Sequence, residues 1–208
     1  MFEIINLFPI PLYSGYLPNK YSSLEPFLES QELIILENHN NQGIKSKNFN
    51  ILDLNELKPL SNYILEQVKI YASTHLNLSH SYYKFTQSWV SIKNTNESHA
   101  PHMHSNSLIS GIFYFGQADN LTPKVGFQKL FSSDSYLLQP QFQNNYNPLE
   151  GPVYFDSTPG KMYIFPSFLG HFVPVNNSSL PRKCVAFNIL PTDGLGDENN
   201  GNRINFLI

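Results

Sequence analysis

His102 and His104 stand two residues apart in the segment PHMHSNSLISGIFYF, directly ahead of an apolar run. On extended backbone, residues i and i+2 point to one face, so both imidazoles can reach a single metal ion. A third histidine, His171, follows 67 residues after His104 in GKMYIFPSFLGHFVPV, where it opens a new apolar segment behind a tight turn. Two ligands from one strand and one from a distant strand make a facial metal site with positions left open for chemistry. Arg182 lies 11 residues beyond His171, at the head of RKCVAFNIL. An inward-facing guanidinium beside a metal can grip a carboxylate through two parallel hydrogen bonds. By alternation Arg182, Cys184 and Ala186 share one face, a large cation beside two small side chains, which leaves space for a ligand. Ser110, Ile112 and Tyr114 form a similar row that ends in a phenol able to bond the same carboxylate.

Each of these residues also has a plainer reading. A lone histidine is usually a surface or core residue, and His39, His75 and His80 are read that way. Arg182 fits equally a surface cation after a turn, and Tyr114 fits ordinary sheet packing. Glu97, His99 and His102 offer a different ligand set from the same loop. Cys184 reads as a small buried side chain rather than a redox group.

The elements that must position these residues are legible in the periodicity. Leu57, Leu60, Ile64, Val68 and Tyr71 recur at steps of three or four, which predicts a helix within Leu54–Leu76. Asp53 and Glu56 have the form of a capping box, but Pro59 would remove a hydrogen bond there and moves the expected start toward itself. A shorter helix is expected at Ser23–Glu32. From Tyr82 onward, short runs of Phe, Tyr, Val and Ile alternate with Gly, Pro, Asn and Asp. They predict strands at Tyr83–Lys93, Leu108–Phe115, Val125–Phe131, Val153–Phe155, Lys161–Phe165, His171–Val175 and Lys183–Leu190. Phe2–Tyr13 and Arg203–Ile208 are expected as edge strands, and the polar stretches Glu37–Asn50 and Gln139–Asn147 as surface loops. The expected fold is mainly β, a jelly roll with supporting helices on one side, built as one domain over residues 1–208. Helical support falls at about 20–78 and the β core at about 82–190.

Composition narrows the function. The chain has 208 residues, 41% hydrophobic and 14% aromatic, enough for a sizeable core. Only 14% are charged, with net charge −3, so no basic field exists to hold a nucleic acid. A single cysteine cannot form an internal disulfide. Glu3 stands where a signal peptide carries Lys or Arg, and no apolar run approaches the ~20 residues of a membrane helix. The expectation is a cytoplasmic protein without a membrane partner, with a homodimer as the default assembly.

From about Trp89 to Asn188 the chain resembles the iron(II)/2-oxoglutarate-dependent oxygenase superfamily, in particular small oxygenases of bacteria and phages. The resemblance rests on HMHSNSLISGIFYF followed by PGKMYIFPSFLGHFVPVNNSSLPRKCVAFN, and it is also similar to the metal and cosubstrate region of prolyl hydroxylases. It implies a double-stranded β-helix, Fe(II) and O2 as cofactors, and 2-oxoglutarate as the cosubstrate, decarboxylated to succinate while a substrate is hydroxylated. It implies His102 and His171 as metal ligands and Arg182 as partner of the distal 2-oxoglutarate carboxylate, with Tyr114 supporting that carboxylate and Ser110 beside it. His104 stands where the superfamily usually has Asp or Glu. Used as the third ligand, it leaves the metal one net positive charge higher. Two rival readings share the jelly roll: a cupin-like metal enzyme without 2-oxoglutarate, and a binding or structural module without catalysis. Loops at Asn94–Pro101 and Phe131–Glu150 are expected to set specificity, and their composition names no substrate.

Overall fold

The computed structural model describes residues 3, 8–35, 43–130 and 151–206. Strands β1 (Tyr13–Tyr16), β2 (Leu33–Ile35) and β3 (Ile44–Ser46) precede the long strand β4 (Tyr83–Lys93). Then follow β5 (His99–His102), β6 (Ile109–Phe115), β7 (Val125–Gln128), β8 (Val153–Phe155), β9 (Lys161–Pro166), β10 (Gly170–Val173) and β11 (Arg182–Pro191). They pair antiparallel as nested couples: β4 with β11, β5 with β10, β6 with β9, and β7 with β8. One antiparallel ribbon is thus wound into two facing sheets, ordered β1-β9-β6-β11-β4-β3-β2 and β5-β10-β7-β8. This is the double-stranded β-helix, or jelly roll, expected from the sequence.

Alternation gives the larger sheet two different faces. Ile109, Phe113 and Phe115 of β6, with Val185, Phe187 and Ile189 of β11, join the buried cluster that includes the helical residues. Tyr114 and Cys184 point the other way, into a smaller cluster with Val125, Phe127, Tyr163 and Phe165 between the sheets. Gly111 lies in register with Phe187, and a Cβ there would stand 2.2 Å from the Phe187 ring. The missing side chain is what lets that ring pack edge-on to Phe85, at 86°.

The helical layer covers the outer face. Helix α1 (Glu25–Glu29) follows a 3-10 turn over Asn19–Leu24, and α2 spans Lys58–His75. The predicted stripe of α2 is buried: Leu60, Ile64, Val68 and Tyr71 are each at most 1% exposed. Burying each aliphatic member contributes about 1.5–3 kcal/mol, far more than local helix propensity. Pro59 occupies the first turn, where its missing N–H costs nothing. Asp53 and Glu56 make no side-chain cap; two 3-10 turns, Ile51–Asp53 and Asn55–Leu57, occupy the ground before the helix instead. No described helix is long and apolar enough to cross a membrane.

Some expectations shift. Among the described residues the N-terminal edge strand is Tyr13–Tyr16, paired with β9; of the expected Phe2–Tyr13, residues 8–12 form no strand, since Pro9 and Pro11 withhold ladder donors, and residues 2 and 4–7 fall outside the described residues. Near the C-terminus the described residues form an isolated bridge, Leu195 to Ile204, in place of a strand. The stretch read as a loop at Glu37–Asn50 contains β3, which pairs with β2 and β4. Strand β10 stops at Val173, and Val175 lies beyond it, 46% exposed. Strand β5 was not expected, since His-Ala-Pro-His carries no β-propensity of its own. The loops at Phe131–Glu150 and Gln139–Asn147 fall outside the described residues.

Candidate metal centre

The ladder between β5 and β10 sets His102 opposite His171. On the other edge of β10, Gly170 lets β7 lie close: a Cβ there would stand 2.4 Å from Leu130 Cγ and 2.7 Å from the Gln128 carbonyl. His104 follows β5 and is anchored by its own N–H, which donates to the Ser167 carbonyl at 3.0 Å. The three side chains converge, with ligand atoms within 4.8 Å of one another. His104 Nε2 and His171 Nε2 are 3.2 Å apart. Neighbouring nitrogen donors at about 2.1 Å from one ion stand about 3 Å apart at right angles, so this spacing suits a shared metal.

Hydrogen bonds orient the rings. His102 Nδ1 donates to the Ala100 carbonyl at 2.9 Å and His171 Nδ1 to the Leu169 carbonyl at 3.0 Å. Both bonds fix the tautomer that leaves the Nε2 lone pair free for a metal. His104 Nδ1 faces the Asn188 amide at 3.4 Å. Asn188 also accepts from Ser110 Oγ at 2.9 Å, and Ser110 bonds Ser167 Oγ at 2.8 Å. Ser110 therefore lies at the imidazole end of its row, bonded within this polar chain, and Tyr114 lies at the other end. Asn188 escaped the sequence reading, although it extends the inward row of Arg182, Cys184 and Ala186 by one more alternate position.

Burial pushes all of these imidazoles toward the neutral form. Desolvation, then the neighbouring His102, lowers His171 to about 3 and His104 to about 4. His102 is lowered as well, again by burial. Neutral imidazole is the metal-binding form, so the site is ready for a cation at neutral pH. The same shifts make the metal-free protein acid-sensitive. Unfolded imidazoles take up protons near 6.5, whereas the folded ones do not until about 4 or 3. Between those limits the unfolded state holds more protons, so the contribution of these imidazoles to stability is flat above about 7 and falls as pH drops from about 6.5 toward 3. Urea denaturation of the metal-free protein across that range is the check, and a constant midpoint would contradict it.

The alternative ligand set is not assembled. Glu97 Oε2 accepts the Asn94 N–H at 2.6 Å, and the His99 ring packs on His102 with centroids 4.1 Å apart. Among the described residues, the metal-competent group of three is His102, His104 and His171.

Arg182 is 2% exposed and lies between the sheets. Its Nη2 donates to the Tyr114 hydroxyl at 2.8 Å and its Nε to the Pro123 carbonyl at 3.2 Å, with the guanidinium 4.7 Å above the Tyr114 ring. Among the described residues it has no carboxylate partner. A buried guanidinium without a counter-ion is costly, which marks a place for an anion. Burial raises the Tyr114 hydroxyl pKa, opposed by Arg182, so Tyr114 remains a hydrogen-bond donor. Phe165 and Phe127 wall His171 at ring distances of 4.9 and 6.2 Å. Phe113 and Phe115 belong to the helical side.

Residues 87–188 match a family model described as "Putative 2OG-Fe(II) oxygenase". No curated protein matches the sequence. Among solved structures, the α-ketoglutarate-dependent epimerase SnoN of nogalamycin biosynthesis aligns with TM-score 0.63 and 13% identity, over 88% of this chain and 79% of that one. A prolyl-4-hydroxylase of Pseudomonas putida aligns with TM-score 0.56 and 12% identity, over 86% and 92%. HygX of Streptomyces hygroscopicus, solved with nickel, 2-oxoglutarate and hygromycin B, aligns with TM-score 0.54 and 9% identity, over 88% and 84%. These likenesses share the fold, and the segment that matches the 2OG-Fe(II) oxygenase family model holds the three histidines together with Ser110, Tyr114 and Arg182.

Proposed function

We propose that the chain is a hydroxylase that uses iron(II), O2 and 2-oxoglutarate, releasing succinate and CO2. The observation that carries this is the pairing of two features between the two sheets. Three neutral imidazoles converge at one end, and a buried guanidinium without a carboxylate waits at the other. His102, His104 and His171 would hold the metal through Nε2. Arg182 and Tyr114 would hold the distal carboxylate of 2-oxoglutarate, the first as a forked cation and the second as a neutral donor. Iron(II) and 2-oxoglutarate, when bound, would supply the activation of O2, which is the oxidant for hydroxylation. The protein's part is to orient these groups and, with Phe127 and Phe165, to keep water from the reacting centre. SnoN is an epimerase and SnoK, of the same biosynthesis, a carbocyclase, so the fold itself does not choose hydroxylation. A cupin-like enzyme would give Arg182 no task.

Anaerobic addition of iron(II) and then 2-oxoglutarate is expected to give a weak visible charge-transfer band, and admission of O2 to give succinate. Iron binding with neither band nor succinate would overturn the reading in favour of a metal enzyme that uses no oxo acid.

A further inference from the structure

Arg182 is not the sole cation on the inner wall. Lys93 is its register partner on β4, so both side chains leave the ladder on one face, and Lys93 is 1% exposed. Among the described residues its ammonium donates one hydrogen bond, to Ser91 Oγ at 3.0 Å, and joins no ion pair. Lys45 of β3 is in turn the register partner of Ser91. It is half-buried, with its ammonium 5.5 Å from the centre of the Trp89 ring, which lies 5.9 Å from the His104 ring. Two ammonium groups therefore run along the wall between Arg182 and the triad. Their charge reaches the triad, where both add to the lowering of His102.

The wall carries too much positive charge for the ligands so far assigned to it. Among the described residues, Glu97 is the carboxylate that acts on Lys93, and its Oε2 accepts the Asn94 N–H. A divalent ion on neutral imidazoles adds to the surplus, because His104 brings no negative charge. In the proposed reading the two carboxylates of 2-oxoglutarate would already have partners, one at the metal and the other on Arg182 and Tyr114. Burial pushes Lys93 down to about 8, the direction expected of an ammonium that lacks its anion.

We propose that Lys45 and Lys93 form a second anion site beside the triad, which takes the carboxylate or phosphate of an acidic primary substrate. The identity of that anion as the substrate's rests on the oxygenase reading; the anion site itself does not.

Trp89 is the sole tryptophan and reports on Lys45 directly. Inorganic phosphate and, separately, acetate are titrated into protein loaded with nickel(II) and saturating 2-oxoglutarate, and into the metal-free protein, at fixed ionic strength. The expected result is a saturable change in tryptophan emission in both states, with the tighter anion naming the substrate's acidic group. Lys45→Met and Lys93→Met are each expected to weaken this binding about tenfold or more, the scale of one charge-assisted hydrogen bond. Both variants are expected to keep wild-type affinity for 2-oxoglutarate, and a melting temperature no lower than wild type, since an unpaired buried charge has been removed. Absence of a saturable response to either anion would overturn the proposal, as would methionine variants that bind the anion like wild type. Variants that lose 2-oxoglutarate in parallel would assign the lysines to the cosubstrate and also overturn it. Phosphate saturation in a protein that fails to bind 2-oxoglutarate would support the anion site and sink the oxygenase reading instead.

Discussion

His171→Ala is expected to abolish stoichiometric metal binding. His171 is 9% exposed, its Nδ1 is tied to the Leu169 carbonyl, and its Nε2 stands 3.2 Å from His104 Nε2. Losing even an outer-shell partner of a ligand typically costs 10–100-fold in affinity, so losing a buried ligand is expected to cost more than about 100-fold. His99 offers no rescue: its ring is packed on His102, in register with Val173 rather than opposite the open face. Titration with cobalt(II) or nickel(II) against a competing chelator measures the loss, and far-ultraviolet circular dichroism confirms that the β sheets remain. Full occupancy in this variant would remove His171 from the ligand set.

Arg182→Ala separates the two ends of the pocket. The metal is expected to bind as before, because the guanidinium contacts Tyr114, Pro123 and Cys184 and none of the imidazoles. Affinity for 2-oxoglutarate is expected to fall by about 10–150-fold, since hydrogen bonds to charged groups are worth about 1.5–3 kcal/mol. Arg182→Lys should recover part of this, as it restores the charge without the fork. Calorimetric titration of 2-oxoglutarate into the nickel-loaded variants reads both effects, and an unchanged affinity in Arg182→Ala would end the role proposed for this residue.

Much of this arrangement was legible in the residues. The stripe from Leu57 to Tyr71 and the seven strands from Tyr83 onward were visible because burial on one face leaves a period in the sequence. The inward rows of β6 and β11 followed from the same alternation, and Arg182 and Tyr114 indeed meet. Strand β5 was invisible for a physical reason: its residues are extended by their pairing with β10, and the pairing is long-range. Lys93 was hidden differently. A lysine at a strand end reads as solvated, and its burial becomes apparent when Arg182 is seen across the ladder. The orientation of the imidazoles depends on the carbonyls of Ala100 and Leu169, and backbone acceptors leave no trace in residue types.

The two-faced strands carry one more implication. On β6 and β11, residues of one parity glue the helical layer to the sheet, and those of the other parity furnish the pocket. Selection can therefore retune what the space between the sheets accepts by altering alternate positions without eroding the scaffold. An insertion of one residue in either strand would exchange the two sets, and would cost both shape and activity at once.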